Sequence, residues 1–214
     1  MSKYEIEIKS LIGDKAKAEE LVSKMKNLDP GFSSHGSHKQ LNHYFAGGDL
    51  NALRAKLPHL KIPEHVKDYS VRTRWADGRV ILVIKMTVDD TTSSNGTARQ
   101  EFESEVNLTL EQLDQLLLDS GFQYQAKWSR EREEYSYKGL NVTVDKNAGY
   151  GYLAEFEAVI DDPSQADSMK TTIRSRMKEL GIEELAQERL ERMFAYYNQN
   201  WQNYYGTDKT FVIK

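Results

Sequence analysis

In strand after strand of this sequence, the residues that alternate with apolar ones are charged. Tyr4, Ile6 and Ile8 alternate with Glu5, Glu7 and Lys9 at the two-residue period of a β-strand. Arg72 and Arg74 share a face of Tyr69–Trp75, and Lys85 lies near the end of the apolar run Arg79–Val88. Arg99, Glu101, Glu103 and Glu105 oppose Phe102 and Val106 in Ala98–Leu108. Arg130 and Arg132 share a face, Thr143 and Asp145 oppose Val142 and Val144, and Glu155 and Glu157 oppose Ala154, Phe156 and Ala158. One such strand is an ordinary sheet with a solvated face. The series differs, because helices early, mid-chain and late also need apolar sheet faces to pack on. The charged faces then turn away from the helices, and a strongly twisted or closed antiparallel sheet gives them a lumen.

The helices and turns fall between these runs. Ala18, Leu21, Val22, Met25 and Leu28 form the apolar stripe of a helix over Asp14–Leu28, stopped by Asp29-Pro30-Gly31. Phe32–Lys39 is rich in Ser, Gly and His and reads as a loop, with a short strand over Gln40–Phe45. Ala46–Asp68 reads as an irregular connection with a short helix near Asp49–Leu57. Ala76-Asp77-Gly78 and Lys138-Gly139 are hairpin turns, and Asp89–Thr97 is a polar loop. Thr109 and Gln112 form a capping box for a helix to Ser120, ahead of Gly121. Strands follow at Ala126–Tyr137, Asn141–Lys146 and Tyr152–Ile160. Asp162-Pro163 opens a helix to Leu180, and a last helix spans Ile182–Tyr197. The aromatic tail Asn198–Lys214 is expected to dock on the body. The 214 residues read as one domain, with strands over about 2–160 and C-terminal helices and tail over 161–214.

Composition narrows the chemistry. The absence of cysteine removes disulfides, thiolate metal sites and cysteine nucleophiles. A net charge of −4 disfavours a broad nucleic-acid surface but not a local basic channel. No apolar run approaches the roughly 20 residues of a membrane span, and Met1–Ser10 lacks the apolar core of a signal peptide, so the expected location is cytoplasmic. Packing so many acids and bases into one lumen is unfavourable without a ligand to compensate them. A polyphosphate with a divalent metal does so: Arg and Lys bind phosphate oxygens, and Glu and Asp bind hard cations such as Mg²⁺ or Mn²⁺. Gly47-Gly48 lacks the context of a P-loop.

The ordered series of motifs resembles the CYTH superfamily, the triphosphate tunnel enzymes. Glu5-Ile6-Glu7-Ile8-Lys9 matches its ExExK signature. Arg72-Thr-Arg74, Lys85, Arg99-x-Glu101-x-Glu103, Arg130-x-Arg132 (often KxR in the family), Asp145, and Glu155-x-Glu157 follow in the family's order. The resemblance covers roughly residues 2–160. Asn42-His43-Tyr44-Phe45 resembles the family's second strand without an acidic residue common there, and Ala46–Asp68 is not a clean match.

The resemblance implies an α+β fold, a closed or nearly closed eight-stranded antiparallel β-barrel with helices packed outside. It implies that Lys9, Arg72, Arg74, Lys85, Arg99, Arg130 and Arg132 grip a triphosphate. It assigns Glu5, Glu7, Glu101, Glu103, Asp145, Glu155 and Glu157 to one or two Mg²⁺ or Mn²⁺ ions. Glu101/Glu103 is preferred over Glu103/Glu105, because Arg99 sets the register. Glu5, Glu7, Lys85 and Tyr44 are the candidates for catalysis, with Tyr44 as proton donor or orienting hydroxyl. The expected activity is metal-dependent hydrolysis of tripolyphosphate, thiamine triphosphate or a nucleoside triphosphate. The alternatives are a class IV-type adenylyl cyclase and a noncatalytic polyphosphate- or nucleotide-binding module. The expected partner is a triphosphate-containing small molecule, with an RNA 5′-triphosphate end also compatible; a monomer or homodimer is expected. His35-x-x-His38 reads as a solvated loop, and Trp75 and Trp128 as packing residues.

Overall fold

A computed structural model describes residues 4–64, 68–87 and 99–213. The predicted loop Asp89–Thr97 lies outside them. Chain order is β1 (Tyr4–Gly13), α1 (Lys15–Leu28), β2 (Ser33–Gly47), α2 (Leu50–Lys56), β3 (Tyr69–Ala76), β4 (Arg79–Thr87), β5 (Arg99–Val106), α3 (Leu110–Leu118), β6 (Phe122–Tyr137), β7 (Leu140–Asn147), β8 (Gly151–Ile160), α4 (Ala166–Glu179) and α5 (Gln187–Asn200). The strands run round a curled antiparallel barrel in the order β1-β5-β4-β3-β2-β6-β7-β8. Among the described residues β1 pairs with β8 along most of its length and meets β5 at Glu5–Arg99. The ring closes at this seam.

Two-residue periodicity sorts the barrel wall. Ile6, Ile8, Val142, Val144, Ala154 and Phe156 point outward and pack with Leu21 and Met25 of α1 and Ile173 and Met177 of α4. On the other side Val71, Leu82, Ile84 and Met86 pack with Leu53 of α2 and Leu113 and Leu117 of α3. Fully burying each of these side chains stabilises the fold by roughly 1.5–3 kcal/mol. Helix starts follow the expected chemistry: the Asp14 carboxylate accepts from the Lys17 N–H, and Thr109 and Gln112 form a reciprocal capping box. Asp77-Gly78 and Lys138-Gly139 have positive φ, as two-residue hairpin loops matched to strand twist require.

Three boundaries differ from the sequence reading. Ser33–Lys39 is not a loop but the first half of the 15-residue β2, paired with β6 through Ser136–Glu131. Its side chains are mostly exposed, so no apolar alternation marks it. β6 begins at Phe122 rather than Ala126, because it pairs with the far end of β2 at Gly47. The last helix begins at Gln187, not Ile182. The preceding residues instead bind β1: the Leu185 N–H donates to the Lys9 carbonyl at 2.8 Å and the Ser10 hydroxyl to the Glu183 carbonyl at 2.6 Å.

The C-terminal part does more than dock on the outside. Leu190, Met193 and Tyr197 of α5 and Phe211 pack on Ala126, Trp128 and Leu153, which share the inward faces of their strands with Arg130 and Glu155. This apolar and aromatic cluster plugs one end of the barrel.

Candidate functional site

Between that plug and the Glu5–Arg99 seam lies a cavity of about 490 Å³. Glu5, Glu7 and Lys9 of β1 line it, as do Tyr44 of β2, Arg72 and Arg74 of β3, Lys85 of β4 and Glu101 and Glu103 of β5. Arg130 and Arg132 of β6, Asp145 of β7, and Glu155 and Glu157 of β8 also line it, together with Glu134 of β6, which the sequence analysis did not single out. All eight strands thus contribute at least one predicted site residue. Glu105 is exposed and does not line the cavity, which selects Glu101/Glu103 as the inward pair. The backbone of Arg99 belongs to β5, and its side chain lies outside the described residues.

The acids divide into two groups. Four of them pair with bases and lie outside the compact carboxylate cluster. Glu101 accepts from Arg72 at 3.0 Å and lies 3.2 Å from Lys85 Nζ, and Glu103 accepts from Arg74 at 2.7 Å. Asp145, with no exposed surface, takes a two-pronged hydrogen bond from Arg132 at 2.7 and 2.6 Å and another from Arg130 at 2.8 Å. Glu155 accepts from Arg132 at 2.5 Å and lies 3.3 Å from Lys9 Nζ.

The second group is Glu5, Glu7 and Glu157, whose carboxylate oxygens lie within 4.8 Å of one another. Lys85 reaches Glu5 at 3.3 Å, and Lys9 pairs with Glu7. Glu157 has no cation partner among the described contacts. Burial, then the adjacent charge of Glu5 and a hydrogen bond with it, push its carboxyl up to about 8. Three carboxylate oxygens this close are of the chemistry that could hold a hard divalent cation. Among the described residues this is the one carboxylate trio of that compactness.

The bases carry the complementary signal. Burial by itself disfavours a charged Glu101 and Glu155, yet Arg72 and Lys85 bring Glu101 down to about 2, and Lys9 and Arg132 hold Glu155 well below the carboxylate range. Burial and repulsion from Arg72 lower Arg74 to about 10, and burial and repulsion from Arg132 lower Arg130. Arg74 and Arg130, destabilised in this way, would be relieved by an anion, whereas Tyr44 and Glu101 beside Arg72, and Asp145 and Glu155 beside Arg132, hold those two firmly charged. Arg72 Nε is buried with no hydrogen-bond partner, so a donor is free for one. The Tyr44 hydroxyl accepts from Arg72 at 2.9 Å. Burial would raise this phenol, but the charges of Arg72, Arg130 and Lys85 overcome it and bring Tyr44 down to about 8.

The model of the CYTH domain family matches residues 3–189. The chain belongs to the CYTH family. No curated protein matches it significantly. Among solved structures, a protein of Pyrococcus horikoshii shares 21% identity at a TM-score of 0.63, covering 88% of this chain and 99% of its own. A conserved hypothetical protein of Pyrococcus furiosus shares 22% at 0.61, covering 84% and 91%. A proposed adenylate cyclase of Vibrio parahaemolyticus shares 11% at 0.63, covering 91% and 99%. At these identities the likeness is one of fold.

The motif residues of this CYTH chain converge, while other candidates fall elsewhere. His35 bonds Ser136 and His38 bonds Asp77 on the surface, and Trp75 packs on the outer core. Trp128, read as packing, also lines the cavity. Gln40 and Asn42 were missed: they accept from Arg130 and Arg74 at 2.8 and 3.1 Å. Their two-residue spacing from Tyr44 is the signal that could have found them. Tyr150, Leu190 and Phe194 also line the cavity, and no sequence period connects them to it.

Proposed function

We propose that this chain is a divalent-metal-dependent hydrolase of a triphosphate substrate. The observation that carries this reading is the side-by-side placement, in one cavity, of the compact Glu5/Glu7/Glu157 trio and a ring of crowded arginines. Arg72, Arg74, Arg130, Arg132, Lys9 and Lys85 bind and orient the phosphate chain, with Arg72 Nε as a donor already free of protein partners. Glu5, Glu7 and Glu157 hold Mg²⁺ or Mn²⁺, and Glu101, Glu103, Asp145 and Glu155 set the charge and direction of the arginines. The cation, when bound, neutralises phosphate oxygens and acidifies water. Tyr44, whose hydroxyl is fixed by Arg72, holds or passes a proton at its phenolic oxygen. Such a site acts by positioning and charge stabilisation, which is what phosphoryl transfer demands.

The test is product analysis of the purified protein with tripolyphosphate, thiamine triphosphate and ATP, each with Mg²⁺, Mn²⁺ or chelator. Metal-dependent orthophosphate release is the expected result. Cyclic AMP with pyrophosphate would instead make the chain a cyclase, as proposed for its Vibrio parahaemolyticus neighbour. Binding without turnover would leave a recognition module.

A further inference from the structure

Among the described residues, β2 is the one strand of the barrel that brings no formal charge to the cavity: its lining side chains are Gln40, Asn42 and Tyr44. It lies between the two strands that carry the cavity's arginines, β3 on one side and β6 on the other. Register sets Asn42 opposite Arg74, Tyr44 opposite Arg72 and Gln40 opposite Arg130. Each of the three accepts from the arginine it faces: Tyr44 from Arg72 at 2.9 Å, Asn42 from Arg74 Nε at 3.1 Å and Gln40 from Arg130 Nε at 2.8 Å. Asn42 is 2% exposed and Gln40 9%, so neither amide is there to meet bulk solvent.

A carboxylate is the stronger acceptor for a guanidinium, and elsewhere in the cavity the chain uses one. Arg132 is held by two, Asp145 and Glu155. Arg74 has a single acid, Glu103, on a terminal nitrogen, and Arg130 has only Asp145, which it shares with Arg132. On Nε both have an amide instead. An Nε–H can only donate, so it faces the amide oxygen and leaves the amide nitrogen as a donor. Among the described residues neither Asn42 Nδ2 nor Gln40 Nε2 donates to the protein, and both residues line the cavity. We propose that Asn42 and Gln40 are positioning residues of the phosphate site, which fix the direction of Arg74 and Arg130 while leaving the charge of both uncancelled for a polyanion. The proposal rests on the triphosphate reading above. Arg130 repels Arg74 across β2, so without a tie the two forks would swing apart. A neutral acceptor holds each in a direction set before the ligand arrives, and does not spend its charge on the protein. Asn42→Asp and Gln40→Glu keep the shape of the tie and complete the neutralisation.

The experiment is calorimetric titration with tripolyphosphate in excess Mg²⁺, alongside melting curves of the ligand-free proteins. Wild type is compared with Asn42→Asp and Gln40→Glu, and with Asn42→Ala and Gln40→Ala as neutral deletions. Each acid variant should melt above its alanine counterpart, because it keeps an acceptor on the arginine Nε. It should nevertheless bind tripolyphosphate about tenfold or more weakly than wild type, and more weakly than the alanine variant, because it adds a negative charge beside the polyanion. An amide with a purely structural role does not produce this opposite ordering of stability and affinity. Acid variants that bind as tightly as wild type, or no more weakly than their alanine counterparts, overturn the positioning role while the triphosphate site stands. No tripolyphosphate binding by folded wild type overturns both.

Discussion

Glu157 is the residue at which charge, burial and metal chemistry meet. Its carboxyl titrates near 8 instead of 4.5 because it is buried beside Glu5. In metal-free protein the stability linked to this group is fully present below about 4.5 and is lost as pH rises through about 8. Melting curves in chelator should therefore show wild type losing stability across that window relative to Glu157→Gln. Mg²⁺ must displace the proton, so its affinity should climb with pH up to about 8 and then level, as calorimetry at several pH values would show. Glu5→Gln should lower metal-dependent turnover by about 10²-fold with little change in melting temperature. Arg72→Ala removes the free Nε donor and should weaken triphosphate binding by about 10–100-fold. Wild-type activity in both variants would sink the site assignment. At this scale much was legible: most of the glutamates and arginines chosen by the two-residue period line the cavity, though Glu105 does not and Glu134, not chosen, does. The clustering of Glu5, Glu7 and Glu157 was not legible, because it depends on which strands pair.

At the scale of elements, β3 carries Arg72 and Arg74, β2 supplies the Asn42 and Tyr44 that bond them, and the two strands are tied from behind. His43 and Thr73 are register partners that point outward, between the inward pairs Asn42–Arg74 and Tyr44–Arg72. Buried Asp114 of α3 accepts from Thr73 at 2.6 Å and Tyr124 at 2.7 Å, and bonds His43 Nδ1 at 2.7 Å. His43 Nε2 in turn meets the Tyr205 hydroxyl of the tail at 2.8 Å. Asp114→Ala leaves these buried groups without their shared acceptor and should destabilise the protein by about 3 kcal/mol, with Asp114→Asn less severe. Chemical denaturation of the two variants checks the ranking. The sequence reading placed α3 and its capping box correctly, but nothing in a helix pattern announces that Asp114 faces the sheet. The first half of β2 was hidden for a related reason. Its exposed polar residues carry no period, and its strand state comes from hydrogen bonds to β6.

For the whole molecule, a ligand that binds only the folded barrel must stabilise it. Tripolyphosphate with Mg²⁺ at about 100 times its Kd should add roughly 2.7 kcal/mol, which is roughly 5–10 °C for a chain of this size. A thermal shift measured with and without chelator tests this, and an unchanged melting temperature would contradict a triphosphate cavity. Among the described residues no helix is long and apolar enough to cross a membrane. The sequence by itself determined the alternating strands, their charged faces and their apolar faces, but not the first half of β2, because side-chain alternation is a local property of extended backbone and that segment has none. Only the tertiary structure decided that α5 and the tail fill one end of the barrel. It also brought Glu157 beside Glu5 and Glu7, because the first and last strands, some 150 residues apart in the chain, pair as neighbours with Glu7 opposite Glu157.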